Sequence, residues 1–205
     1  MTAGGTVFIV DDDEGVRSSL TILLESSGLR AEAHPSAAEF LAHYQADQPG
    51  CLVLDVRMPG MDGMALQREL TARHALIPVI FVTGHGDVPL AVEAMKNGAF
   101  DFLQKPFRHE DLLERVRRAL AADAEARADA AQRDDIQRRY ATLTPREREV
   151  MAMIVDGRAN KVIAIDLALS ERTVEIHRSR VMEKMGTRSV AHLVRLALVL
   201  QSPAA

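Results

Sequence analysis

Acidic residues fall at unusual places in the first half of the chain. Asp11-Asp12-Asp13 follows the short apolar run Thr6 to Val10, and Asp55 follows Cys51 to Leu54. Thr83 closes the run Val79 to Thr83, and Lys105-Pro106 comes just after Phe100 to Leu103. Carboxylates crowded into one pocket repel and raise one another's pKa unless a cation joins them. A hard divalent ion with oxygen ligands relieves that repulsion, and Mg²⁺ keeps waters that can be exchanged for phosphate oxygens. Lys105 can offset phosphate charge as a point cation, and the Thr83 hydroxyl can donate to a new phosphate oxygen. Asp55 is central in this set and is the plausible carboxylate nucleophile.

These residues converge only if the segments before them lie side by side. The spacing predicts five strands: Thr6 to Val10, Leu29 to Ala33, Cys51 to Val56, Val79 to Thr83 and Phe100 to Leu103. Between and after them come amphipathic helices over 14–26, Ser36 to Tyr44, 62–73, Pro89 to Asn97 and 109–121. Ser36 and Glu39 have N-cap and N3 spacing, Gly28 and Gly98 end helices, and Asp13 is expected to cap the first. Five βα repeats with apolar strands imply an α/β fold with a five-stranded parallel sheet covered on both faces. Ligands of such sheets bind beyond the carboxyl ends of the strands, where the acidic residues, Thr83 and Lys105 stand.

Residues 121–139 are rich in Ala, Asp, Glu, Arg and Gln and have almost no large apolar side chain. A helical linker continuing the fifth helix is expected. Thr144-Pro145-Arg146-Glu147 then combines an N-cap, a Pro at N1 and a Glu at N3. Helices are predicted from there to Gly157 and over 160–167, 171–185 and 189–200, giving a four-helix, all-α domain. The short helix, the turn at 168–170 and the longer helix have helix-turn-helix spacing. Val174, His177, Val181 and Met185 share the face expected to meet the core. Glu175, Ile176, Ser179 and Arg180 lie on or near the other side, and Arg172, Arg178, Lys184, Arg188 and Lys161 add positive charge. That suits a helix in the major groove with flanking phosphate contacts, although a helical interaction domain with a solvated Arg face fits the pattern as well.

Charge divides in the same way. Residues 1–120 hold 11 basic and 17 acidic residues, residues 121–140 hold 4 and 5, and residues 141–205 hold 10 and 7. The front repels a polyanion and the back attracts one modestly. Apolar residues make up 47% of the chain, enough for ordinary cores, without a run long enough to span a membrane or a signal-peptide start. The single cysteine, Cys51, excludes an intramolecular disulfide and reads as a small buried side chain. A reducing, cytoplasmic setting without membrane contact is expected. The seven histidines are scattered and show no ligand spacing, so zinc is not expected, at His177 or elsewhere.

Residues 6–120 resemble the flavodoxin-like receiver domain of two-component response regulators. The resemblance rests on Val10-Asp11-Asp12-Asp13, on Asp55-Val56-Arg57-Met58-Pro59-Gly60-Met61-Asp62-Gly63, on Thr83-Gly84-His85-Gly86-Asp87 and on Lys105-Pro106-Phe107. It implies phosphorylation of Asp55 by a sensor histidine kinase, with Mg²⁺ held by Asp11 or Asp12, Asp55 and the backbone carbonyl of Arg57. It also implies that Thr83 and Phe102 switch with phosphorylation while Lys105 meets the phosphate. The Thr83 to Asp87 stretch is similar to the FixJ-like branch.

Residues 141–200 resemble the LuxR-type DNA-binding domain. Leu143-Thr144-Pro145-Arg146-Glu147, Asn160-Lys161-Val162-Ile163-Ala164 and Thr173-Val174-Glu175-Ile176-His177-Arg178 carry the likeness. It implies promoter binding through Lys161, Thr173, Glu175, Ile176, Arg178, Ser179 and Arg180, with Lys161 and Arg178 toward the backbone. Many relatives carry Lys where Glu175 stands, a departure that FixJ-like members share.

The expected organisation is a receiver over 1–121, a helical linker over 122–140 and the helix-turn-helix domain over 141–205. The expected function is phosphorylation-controlled transcription regulation rather than enzymic turnover. Promoter DNA, RNA polymerase and, on phosphorylation, a second copy of the chain are the further partners. The alternatives are a receiver-controlled protein-interaction or RNA-binding module, and a magnesium-dependent phosphoryl enzyme acting on small molecules.

Overall fold

The computed structural model describes residues 4–84 and 88–201. Its elements are β1 (Thr6–Val10), α1 (Glu14–Ser26), β2 (Arg30–His34), α2 (Ala37–His43), β3 (Gly50–Leu54), α3 (Gly63–Ala72) and β4 (Val79–Thr83). They continue with α4 (Val88–Lys96), β5 (Asp101–Gln104), α5 (His109–Ala141), α6 (Pro145–Val155), α7 (Asn160–Asp166), α8 (Glu171–Lys184) and α9 (Val190–Gln201). The chain divides into two compact units, 1–128 and 129–205.

In the first unit the five strands form a parallel sheet in the order β2-β1-β3-β4-β5. Side chains alternate across a strand, so each central strand feeds two cores. Phe8, Val10, Leu52, Leu54 and Phe81 pack with Phe40 of α2, Leu66 and Leu70 of α3 and Ala94 of α4. Val7, Ile9, Cys51, Val53, Ile80 and Val82 pack with Leu20 and Leu24 of α1 and Leu112, Val116 and Leu120 of α5. Burial of Cys51 raises its thiol pKa, as expected of an inert core side chain.

Two strands begin one residue later than their apolar pattern predicts. Leu29 is used by the end of α1: its N–H donates to the Leu24 carbonyl beyond Gly28, whose φ is 77°. Gly98, at φ 87°, ends α4 in the same way through Ala99 N–H to the Ala94 carbonyl. This is the left-handed glycine cap; at β2 it takes the predicted first strand residue for the helix, whereas at β5 the residue taken is Ala99 and the Phe100 N–H still donates to the Val79 carbonyl of β4 at 2.8 Å.

The segment with few apolar residues is helical, as expected, and is one continuous piece with the fifth helix. Its fastening differs from expectation, because polar groups carry much of it. Asp123 is buried and accepts the Gly50 N–H at 2.9 Å; Arg127 grips Asp123 at 2.8 Å and donates to the carbonyls of Ala46 and Gln48. These contacts belong to the first unit. Farther along, Ile136 is buried in the core of the second unit, where Tyr140 also packs, and Arg139 donates to the Met185 carbonyl.

The second unit packs α6 to α9 around Val150, Ile154, Ile163, Val174, Val181, Met185, Leu193 and Leu196. Thr144 and Glu147 form the capping box that opens α6, and Pro145 occupies the first turn. Glu147 has a second partner, Lys184 at 2.6 Å near the end of α8, and Lys184 also donates to the Thr142 carbonyl. Lys184 therefore closes the unit from within, where its sequence position counted toward the charge facing DNA.

Hydrogen bonds from Lys184 and from the Thr144 backbone hold the Glu147 carboxyl below its ordinary 4.5. A depressed carboxylate stabilises the fold fully above its unfolded pKa and loses that contribution as pH falls through the folded value. Glu147→Gln is expected to lower stability at neutral pH by about 1.5–3 kcal/mol, the range for a hydrogen bond to a charged group. The variant's acid dependence below pH 4.5 should also flatten. Urea unfolding followed by circular dichroism at pH 7 and in a series from 5 to 3 (about one pH unit to either side of the carboxylate range) measures both.

Candidate functional site

The strand ends of β1, β3 and β4 and the loop after β5 bring the acidic residues and Lys105 together. Lys105 Nζ lies 2.8 Å from Asp11 Oδ2 and 3.4 Å from Asp55 Oδ1. Asp11 and Asp55 are both buried, while Asp12 beside them is exposed. The remaining oxygens are held by the main chain: Asp11 Oδ1 accepts the Asp13 N–H at 2.9 Å, and Asp55 Oδ2 accepts the Arg57 N–H at 2.7 Å. The Asp13 side chain caps α1 by accepting the Val16 N–H, as expected. Thr83 is fully buried, and its carbonyl accepts the Lys105 N–H at 2.9 Å. The Lys105–Pro106 peptide bond is cis.

Burial raises the Asp55 pKa above its ordinary value. The Arg57 N–H and the Lys105 charge pull it back, and Asp11 pushes it up again. Asp55 is thus a carboxylate of heightened basicity, oriented by one amide and faced by one ammonium. Gly63, at the start of α3, makes this packing feasible: a Cβ there would stand 2.2 Å from the Asp55 carbonyl oxygen.

Phe102, on the edge strand β5, is half-buried, with its ring centroid 6.2 Å from that of Phe81. Gly84 is described; His85, Gly86 and Asp87, the rest of that sequence pattern, lie outside the described residues. Sequence reasoning passed over Arg17. From α1 its Nη1 donates to the carbonyls of both Asp11 and Asp12 at 2.9 Å, fixing the backbone that presents the two carboxylates. The available signal was a cation one helical turn beyond Asp13, on the face that points back toward the strand end.

In the second unit α7, the turn 167–170 and α8 form a helix-turn-helix. Ala168 takes a positive φ of 52°, and Ser170 caps α8 by accepting the Thr173 N–H. Lys161, Glu175, Ile176, Ser179 and Arg180 are exposed, and Arg178 is half-buried. Thr173 is half-buried, with its hydroxyl 2.8 Å from that of Ser170, so it is engaged in the cap. Val174, Val181 and Met185 are buried in the core and His177 is half-buried on the same face.

The linear spacing of histidines gave no reason to expect a transition-metal group, yet folding brings His34, Glu39 and His43 together. The strand-to-helix turn between His34 and Ala37 does this, and no sequence spacing rule reports it.

A flavodoxin-like sheet with an aspartate pocket at its carboxyl edge, followed by a helix-turn-helix unit, defines a response regulator with a DNA-binding output. Residues 7–117 match the family model "Response regulator receiver domain", and residues 141–197 match "Bacterial regulatory proteins, luxR family". The transcriptional regulatory protein FixJ of Azorhizobium caulinodans is 51% identical over 94% of this chain and 92% of its own length. FixJ of Rhizobium meliloti is 49% identical over 94% and 95%. The solved structure of the response regulator StyR aligns with a TM-score of 0.87 and 45% identity, covering 95% of this chain and 98% of that one.

The chain belongs to the FixJ-like two-component response regulators, which join a receiver to a LuxR-type helix-turn-helix. It is a phosphorylation-controlled, DNA-binding transcriptional regulator, and a histidine kinase and DNA are partners consistent with that class. Among the described residues, no helix is long and apolar enough to cross a membrane.

Removing the Lys105 charge should raise the Asp55 pKa further, because that charge is one of the influences that lower it. NMR titration of side-chain ¹³C-labelled aspartates in wild type and Lys105→Met measures this; an unchanged Asp55 titration would show that Lys105 does not act on it electrostatically. Gly63→Ala should cost about 1–3 kcal/mol by overpacking against the Asp55 carbonyl, read by urea denaturation.

Proposed function

We propose that Asp55 is the phospho-acceptor and that Asp11, Asp12, Asp55 and the Arg57 carbonyl hold a Mg²⁺ ion. The observation that carries this reading is the convergence of two buried carboxylates on the Lys105 ammonium, with Asp55 additionally oriented by the Arg57 amide. The donor set fits the ion: it is all oxygen, doubly anionic in the buried part, and flanked by the exposed carboxylate of Asp12. When bound, Mg²⁺ would neutralise charge between the carboxylates and an incoming phosphoryl group.

The protein's own part is positional and electrostatic. An Asp55 carboxylate oxygen attacks the phosphorus of a phosphohistidine on the kinase. The new O–P bond forms as the N–P bond breaks, and the imidazole leaves with the bonding pair. Lys105 loses part of its claim on Asp55 and pairs with a phosphoryl oxygen. Thr83 turns its hydroxyl toward another, and Phe102 moves into the space beside it. That change remodels the surface of α4, β5 and α5, through which two receivers pair and bring two helix-turn-helix units to adjacent half-sites near RNA polymerase. A phosphoryl group biases such a two-state surface only by its differential interaction with the two states.

For DNA readout, Glu175, Ile176, Ser179 and Arg180 form the exposed face of α8 and are assigned to the major groove. Lys161 and Arg178 are assigned to the phosphates. Thr173 acts through the cap that it shares with Ser170.

Acetyl phosphate with Mg²⁺ should add one phosphoryl mass to the wild-type chain and none to Asp55→Asn; equal labelling of the two would remove Asp55 as acceptor. Sedimentation with and without beryllofluoride should show a monomer becoming a dimer, and Thr83→Ala should keep the label while losing that response. A dimer of equal affinity in both conditions would place control inside a standing dimer.

Arg178→Ala should weaken binding to all duplexes and reduce the salt slope by about one. Ser179→Ala and Glu175→Ala should shift preference between sites instead. Titrations at several salt concentrations separate the two, and an unchanged slope would take Arg178 off the phosphate.

A further inference from the structure

We propose that the edge of the sheet carries a second metal site, formed by His34, Glu39 and His43, that takes a borderline divalent cation such as Zn²⁺. It is separate from the acidic pocket and draws on none of its side chains. One ligand atom from each residue lies within 4.8 Å of the other two. Glu39 and His43 are four residues apart on α2 and so share one helical face. His34 ends β2 and meets that face, with its ring 5.9 Å from the His43 ring.

The histidines are prepared for this role in different ways. His34 is 4% exposed, enclosed by Phe8 and Phe40. Its Nε2 is buried without a hydrogen-bond partner, although Glu32 Oε1 lies 3.1 Å away: the distance suits a bond and the direction does not. A buried polar atom left unpaired is costly, and a neutral imidazole is what a metal requires.

His43 Nδ1 lies 2.8 Å from the Glu39 carbonyl oxygen. When Nδ1–H donates there, the lone pair of Nε2 is free for a metal. Backbone carbonyls commonly fix the tautomer of a ligating histidine in this way.

Two imidazoles and one carboxylate select the borderline first-row cations over Mg²⁺ or Ca²⁺, which prefer all-oxygen sets. A tetrahedral ion with bonds of about 2.0–2.2 Å needs ligand atoms roughly 3.4 Å apart. Glu39 and His43 are exposed and can close that gap by side-chain rotation. Water would take the fourth position.

The test is titration of the metal-free, full-length chain with Zn²⁺ against a chromophoric chelator, in excess Mg²⁺ to occupy the acidic pocket. One equivalent should bind with micromolar affinity or tighter. His43→Ala, an exposed change that spares the core, should weaken it at least about tenfold, as loss of a ligand or its support does. Glu39→Gln should weaken binding in the same direction. In NMR spectra, Co²⁺ should broaden the ring signals of His34 and His43 before those of the other histidines. Absence of micromolar binding overturns the proposal. So does affinity within about threefold of wild type in His43→Ala, because the ion would then sit elsewhere.

Discussion

Two carboxylates buried beside one another are unstable company, and the receiver unit is arranged around the need to neutralise them. Asp11 and Asp55 come from adjacent strands, β1 and β3, whose register places Val10 opposite Leu54. Lys105 reaches both from the loop after β5, at the far edge of the sheet. The ammonium therefore ties that edge to the centre, and it does so at the point where an added phosphoryl group would compete for it. In this arrangement the interaction that stabilises the resting state is also the one that chemistry at Asp55 would disturb.

That dependence explains why the surrounding main chain is so fully committed. The Arg57 amide holds Asp55, the Asp13 amide holds Asp11, and Arg17 fastens the carbonyls of Asp11 and Asp12. Gly63 lets α3 start against the Asp55 carbonyl, where any side chain would collide. A site built from loop ends gains its rigidity from such contacts, because the sheet fixes only where the loops begin.

The long helix α5 and the second unit show polar groups taking over where apolar side chains are scarce. Asp123 and Arg127 bond to the backbone of residues 46–50 within the first unit, and Glu147 with Lys184 closes α6 against α8 within the second. Both pairs leave little unsatisfied, which is the condition under which buried charge stabilises rather than costs. In α8 the division of labour is plain: Val174, Val181 and Met185 fill the core, and Glu175, Ile176, Ser179 and Arg180 remain outside.

Alternation and helical periodicity were enough to place the five strands, the helices, the capping box and the helix-turn-helix, because these patterns record which face of each element is buried. The residue types at the strand ends pointed to Asp11, Asp55 and Lys105 as one group, and the structure brings those three together because a parallel βα sheet has one carboxyl edge and its loops meet there. What pattern could not give were contacts between residues distant in the chain that carry no period. Leu29 looks like a strand residue but serves a helix cap, because the cap's hydrogen bond takes its N–H first. Lys184 looks like a DNA-facing cation but is held by Glu147, 37 positions away. Asp123 and Arg127 look solvated and are bonded to backbone 73–81 residues back. His34 and His43 look scattered and stand ring to ring. Local sequence determines which face an element buries; only the packed chain decides which polar atoms find one another there, because that depends on distances that folding creates.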